Sequence, residues 1–114
     1  MARAWIWGLV LAVVPFAQAR SAPPARWQAL ADCAAAYRAN AQIKDPDRAA
    51  SMTAQISETA GDYAKAALKA YPKSARRAAD MAVQSRIVRQ TAKFARQPRT
   101  QVEHVIDACP QLEE

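Results

Sequence analysis

The chain has very little glycine and almost no histidine. Two glycines and one histidine, His104, occur among its 114 residues. A loop that cradles phosphate needs several glycines so that backbone N–H groups can approach the anion, and this composition excludes such a nucleotide-binding loop. A metal site built from imidazole and thiolate needs three or four ligands, and one histidine and two cysteines supply few of them.

Long apolar runs are also scarce, because the only one lies at the start of the chain. Residues 4–16 contain no charged side chain and follow the single positive charge of Arg3. Ala17-Gln18-Ala19 provides the small-x-small pattern that signal peptidase requires. About thirteen residues are too few for a membrane span, which needs roughly 20, although an uncleaved anchor is the alternative. We therefore predict a Sec-type signal peptide over residues 1–19, cleavage after Ala19, and a periplasmic or secreted protein.

The remaining residues, 20–114, are predicted to form one helical domain without a transmembrane span. Cleavage removes Arg3 and no acid, which leaves 15 basic residues against 10 acidic ones. This length suits one domain rather than two.

Cys33 and Cys109 are the only cysteines. Their separation excludes both Cys-x-x-Cys redox chemistry and Cys-x-x-Cys-His haem attachment. An even number of cysteines in an exported chain predicts a disulfide, because oxidising compartments form and keep such bonds. Free thiols or an intermolecular bond are the alternatives.

The composition predicts an all-α fold. Residues 20–114 contain 24 alanines and one glycine, Gly61, and alanine has the highest helix propensity. Prolines and capping signals divide this region into a small four-helix bundle with the disulfide between the first and fourth helices. The predicted helices span residues 24–42, 46–71, 74–97 and 100–109.

Local signals predict where these helices begin. Asp45-Pro46-Asp47 is expected to cap and open the second helix, and Ser74 is expected to cap the third. Thr100 and Glu103 have the spacing of a capping box for the fourth.

Helical periodicity predicts which faces are buried. The second helix has two candidate faces, one containing Met52, Ile56 and Tyr63 and another of small residues around Gly61, so it is expected to pack between two neighbours. On the third helix Val83, Ile87 and Phe94 share one face. Met81, Val88 and Ala95 lie on the adjoining arc.

A basic stripe is the most distinctive surface feature of the sequence. Arg86, Arg89, Lys93 and Arg96 share one side of the third helix. An anionic partner such as lipid head groups or a cell-wall polymer would suit this stripe, and an ordinary solvated helix face is the alternative. Nucleic acid is not expected, because no base-stacking aromatics lie between the basic residues.

Candidate chemistry is sparse elsewhere. His104 and Asp107, one helical turn apart, are weak candidates for a metal site or a general base, but they are expected on the polar side of the fourth helix. Haem ligation by Met52 or Met81 with His104 is a further alternative, and so is a ligand cavity among the aromatic residues. No serine has an identifiable general base that could activate it as a nucleophile. We therefore expect that the protein is not an enzyme and that it binds no cofactor.

Three functional hypotheses follow. The first is a non-catalytic exported protein that binds another protein, such as an inhibitor, immunity factor, adaptor or chaperone, with a homodimer as one form of association. The second is a binder of anionic envelope surfaces through the basic stripe. The third, and weakest, is a ligand or metal carrier.

Overall fold

The computed structural model of the protein describes residues 25–112, so the predicted signal peptide lies outside the described residues. Within that range the structure contains four α-helices and one 3₁₀ turn, and no strand. We name the helices α1 (Arg26–Gln42), α2 (Ala50–Ala70), α3 (Arg76–Ala95) and α4 (Arg99–Asp107), with the 3₁₀ turn at Lys73–Ala75. The prediction of an all-helical fold is therefore confirmed.

The connection between α1 and α2 differs from the sequence prediction. Helix α2 begins at Ala50 and not at Pro46, because the Asp45 carboxylate accepts a hydrogen bond from the Asp47 N–H (3.0 Å) and closes a turn. The Arg48 guanidinium then reaches back to α1, donating to the main-chain oxygen of Asn40 (2.9 Å) and to its side-chain oxygen (3.2 Å). The Asp-Pro-Asp segment thus ends one helix and leaves the next to start three residues later.

The start of α3 also departs from the prediction. Ser74 lies inside the 3₁₀ turn, and Ala75 occupies the N-cap position with no side-chain hydrogen bond. Arg76, the first residue of α3, donates to the Leu68 carbonyl (2.6 Å) and so satisfies an acceptor at the end of α2.

The capping box predicted at the start of α4 does not form. Pro98 is the N-cap residue, the helix begins at Arg99, and Thr100 already lies within it. Glu103 instead lies 3.8 Å from the Arg99 guanidinium, one turn away on the same helix. Proline immediately before the helix fixes the backbone without a side-chain cap.

Helix α1 is the centre of the fold. It packs against α2, α3 and α4, whereas α2 and α3 share a smaller contact. Buried residues occur all around α1: Leu30, Ala31, Cys33, Ala34, Ala35, Ala36 and Ala39. The other helices each bury one face against it, and Leu30, Val83 and Val102 are the largest fully buried side chains.

Helix α2 does contact two neighbours, α1 and less extensively α3, but most of its small-residue face is not buried by them. Ala50, Ala54, Ser57 and Gly61 are exposed, and only the later positions Ala64 and Leu68 are half-buried. An added Cβ at Gly61 would meet no atom within 4 Å. The helix with several neighbours is α1, whose alanines allow close approach on every side.

Candidate functional site

Helix α3 has an apolar line on its solvent side. Its buried residues, Ala79, Val83, Ile87 and Phe94, face the core. At about 3.6 residues per turn, a second set lies on the opposite side of the helix, at steps of three and four residues. We call this set the outer stripe, and all of its members are exposed: Ala78, Met81, Ser85, Val88, Ala92 and Ala95.

The outer stripe includes the two most exposed large apolar side chains in the described part of the chain. Met81 is 77% exposed and Val88 is 61% exposed, and the third such residue, Met52 at 51%, lies on α2. The sequence placed Met81, Val88 and Ala95 beside the core face. The structure places them on the solvent side, because α1 and the smaller contact with α2 cover only the opposite face of α3.

One member of the predicted basic stripe is used inside the fold. The Arg86 guanidinium donates to both carboxylate oxygens of Asp32 on α1, from Nε at 2.7 Å and from Nη2 at 3.0 Å. Both side chains are about one quarter exposed, at 23%. The hydrogen bonds that Arg86 donates to Asp32 raise the pKa of Arg86 above its ordinary value, so its positive charge is held and neutralised by the Asp32 carboxylate of α1. Arg86 therefore connects α3 to α1, and we no longer count it among the basic residues that are available to a partner.

The other three members remain at the surface. Arg89, Lys93 and Arg96 are exposed, and none of them takes part in the ion pairs found among residues 25–112. Arg89 Nε lies 3.4 Å from the Ser85 carbonyl, so its guanidinium lies back along the helix beside the outer stripe. We call these three residues the basic edge, since they border the outer stripe on one side.

The cysteines come together as predicted. Cys33 is buried in α1, Cys109 follows the end of α4, and their sulfur atoms are at disulfide distance with Cα atoms 6.0 Å apart. The Tyr63 hydroxyl on α2 donates to the carbonyl of Pro110 (2.5 Å), the residue after Cys109. Burial raises the pKa of Tyr63, which favours the neutral phenol that makes this bond. Helices α1 and α2 thus both contact the segment that follows α4.

Most of the aromatic residues pack against other side chains and do not line a groove. Tyr37 and Tyr63 are stacked with ring centroids 5.3 Å apart, and Trp27 lies against Tyr71 at 4.9 Å. Phe94 is buried in the core. Of these five residues, only Tyr63 lines a groove described below, so the contacts favour a packing role.

Surface grooves border α1 and α2 in the described part of the chain. An open groove of about 950 Å³ lies between α1, α2 and the segment after α4, with Arg26, Lys65 and Lys69 along it and Leu30 and Leu112 at its base. A smaller groove of about 400 Å³ separates α2 from α3 over α1, and alanines and Ile87 line it. The larger groove is also lined by Thr59, Asp62 and Tyr63.

His104 and Asp107, the weak metal candidates, are both exposed on α4. Among residues 25–112 no group of three or more His, Cys, Asp and Glu side chains is placed to bind a metal ion. Within the same range no helix is long and apolar enough to cross a membrane.

Sequence reasoning missed the outer stripe as a surface, although the signal was present. Helix α3 carries apolar residues on two opposite sides, and its contacts with α1 and α2 bury only one of them. Comparison of the chain with protein-family models, with curated proteins and with solved structures found no match.

Proposed function

We propose that this chain is an exported, non-catalytic protein that binds a protein partner through the outer stripe of α3. The observation that carries the proposal is the position of Met81 and Val88, which are exposed in line on the side of α3 opposite the core. Contiguous exposed apolar residues rimmed by polar ones are typical of protein–protein contact sites.

The energetics favour covering this surface. Full burial of a Val or Met side chain contributes about 1.5–3 kcal/mol relative to exposure. Met81 and Val88 are 77% and 61% exposed, so most of their apolar surface is still in contact with water. Burial of this surface by a partner would therefore contribute most of that free energy to binding. Neither side chain takes part in the packing of α3 on α1, so binding would use them without disturbing the core.

The exported part of the proposal is supported by two features far apart in sequence. Residues 1–19 have the charged, apolar and small-residue zones of a secretory signal. Cys33 and Cys109 are at disulfide distance, and in an oxidising compartment their bond would connect α1 to the chain after α4. The same bond would stabilise a fold whose core is built largely from alanine.

An affinity capture tests the proposal. Tagged protein, expressed with its first 19 residues in the native host, is cross-linked in the cell envelope and purified for mass spectrometry. We expect a protein recovered in defined ratio by the wild type and lost with Met81→Glu/Val88→Glu.

The control variant is Met52→Glu, which places a single glutamate at a half-exposed methionine of α2. This variant should recover the partner as the wild type does. Equal recovery by all three proteins, or none by the wild type, would contradict the proposal.

A second function is favoured by the basic edge alone. Arg89, Lys93 and Arg96 are exposed and have no carboxylate partner among residues 25–112, which suits an anionic envelope lipid or polymer. Vesicles with and without anionic lipid distinguish this candidate. It predicts binding that weakens steeply with salt, that requires the basic edge, and that survives the uncharged substitutions Met81→Ser/Val88→Ser.

A further inference from the structure

We propose that the occupant of the outer stripe is an amphipathic α-helix of the partner, with carboxylates along the edge that faces Arg89, Lys93 and Arg96. This inference rests on the proposed function and specifies the chemistry of the partner at the same site.

The shape of the outer stripe favours a helix. Ala78 to Ala95 spans about 25 Å at 1.5 Å per residue, or nearly five turns. The spacing between its successive members alternates between three and four residues. This is the repeat at which the side chains of one helix pack into the gaps between those of a facing helix. Ala78, Ser85 and Ala92 are small and leave space beside the larger Met81 and Val88. Leucine-sized side chains of a facing helix would fill those spaces.

The charges beside the stripe define the edge chemistry of that helix. Arg89, Lys93 and Arg96 border one side, while Arg77 and Gln84 border the other. Arg86 is unavailable because Asp32 already binds it. A partner with carboxylates opposite the three free charges gains attraction, whereas one with lysine or arginine there is repelled. The unequal edges would also fix the direction in which the partner helix lies.

A second copy of this chain fits the surface poorly. If two α3 helices met antiparallel along their outer stripes, like edges would face each other and Arg89 would approach Arg89 of the other copy. The one acidic residue of α3, Asp80, lies on the side away from the basic edge. In parallel packing the side that carries Asp80 would face the basic edge, but Asp80 lies nine residues before Arg89, about 14 Å along the helix axis. With the two helices in register, no carboxylate of α3 would therefore reach the basic edge, and the charges favour a different, acidic partner.

Two synthetic peptides test this chemistry on the oxidised protein. Each is a helix of about 20 residues, long enough to span the stripe, with the same leucine and alanine face. One carries glutamate along its edges and the other carries lysine. We expect the glutamate peptide to bind roughly tenfold more tightly, with an affinity that falls as salt is raised.

Reversal of the basic edge provides the decisive comparison. Arg89→Glu/Lys93→Glu/Arg96→Glu should invert the preference toward the lysine peptide. The matched control is Arg38→Glu/Lys65→Glu/Lys69→Glu, which changes the net charge equally at exposed positions of α1 and α2. This control should keep the preference for glutamate. Met81→Glu/Val88→Glu should abolish binding of the glutamate peptide.

Several outcomes would overturn the inference: equal affinity for both peptides, an equal effect of the two triple variants, binding of neither peptide, or self-association of the free protein through α3. A partner captured through the outer stripe whose cross-linked segment is not an acidic helix would overturn it too. That last result would leave the proposed function intact, whereas the absence of any captured protein would contradict the proposed function itself.

Discussion

Helices α1 and α3 are both rich in alanine, and yet they relate to the fold in opposite ways. Helix α1 is buried on nearly every side and packs against each of the other three α-helices. Helix α3 buries one face and exposes an apolar line on the other. The small side chains of α1 permit close neighbours all around, while the larger Met81 and Val88 are 77% and 61% exposed on the solvent side of α3.

This difference indicates that the apolar residues of α1 stabilise the fold, whereas those of the outer stripe are exposed for contact with another molecule. An apolar residue of α1 contributes to folding, because it contacts other helices of the same chain. An apolar residue of the outer stripe has no such contact and is available to another molecule. Substitutions in α1 should therefore lower the free energy of unfolding, whereas substitutions in the outer stripe should leave it nearly unchanged.

Removing the cysteine pair should have the largest effect on stability. The variant Cys33→Ser/Cys109→Ser cannot form the disulfide between residues that are 76 positions apart. The chain-entropy model gives a resulting loss of about 4 kcal/mol in the free energy of unfolding. Denaturant unfolding of the oxidised wild type and the variant measures it. Wild type treated with reductant should unfold as the variant does. Identical midpoints for oxidised and reduced wild type would show that the pair contributes no stability.

Enlarging one alanine in each helix compares the two regions directly. Ala35 of α1 is fully buried, with 0% exposure, and Ala92 of α3 is exposed. Ala35→Leu forces extra volume between packed helices and should cost about 2 kcal/mol. Ala92→Leu should leave the free energy of unfolding within about 0.5 kcal/mol of the wild type. Equal losses in the two variants would mean that α3 is covered on both sides.

The contact between the two helices should have a smaller effect. Asp32→Asn leaves the Arg86 guanidinium partly buried without its carboxylate, and we expect a loss of about 1 kcal/mol. Asp80→Asn is the matched control, since Asp80 is exposed and forms none of the ion pairs among residues 25–112. Chemical denaturation at neutral pH measures both, and a control as unstable as Asp32→Asn would argue against a specific role for the pair.

The hydrogen bond between Arg99 and Asp45 should make the smallest contribution to stability, and this contribution should depend on pH. The hydrogen bond from Arg99 (2.8 Å) is the main cause that lowers the pKa of Asp45 below its ordinary 3.8. A lowered folded-state pKa means that this stabilisation is complete above the unfolded value and is lost as pH falls through the folded one. Thermal unfolding between pH 2 and 5 should therefore decline less steeply for Asp45→Asn than for the wild type. Parallel curves would contradict this assignment.

Much of the fold could be predicted from the sequence, because alanine content, proline positions and helical periodicity are local properties. The four helices and the approach of Cys33 to Cys109 followed from them. The sequence could not show that α1 rather than α2 is surrounded, since small residues mark both helices alike. Nor could it show that Asp32 binds Arg86, because that pair joins residues 54 positions apart. The outer stripe was missed for the same reason: its exposure depends on how many neighbours α3 has.

The central claim is that the solvent side of α3 contacts a protein partner. Site-specific photo-cross-linking in the cell envelope of the native host tests it most directly, with p-benzoylphenylalanine at Val88 and, in a second variant, at Met52. Both side chains are exposed, at 61% and 51%, but they lie on different helices. We expect one discrete protein adduct from position 88 and none of the same mass from position 52. No adduct at position 88, or the same adduct from both positions, would contradict it.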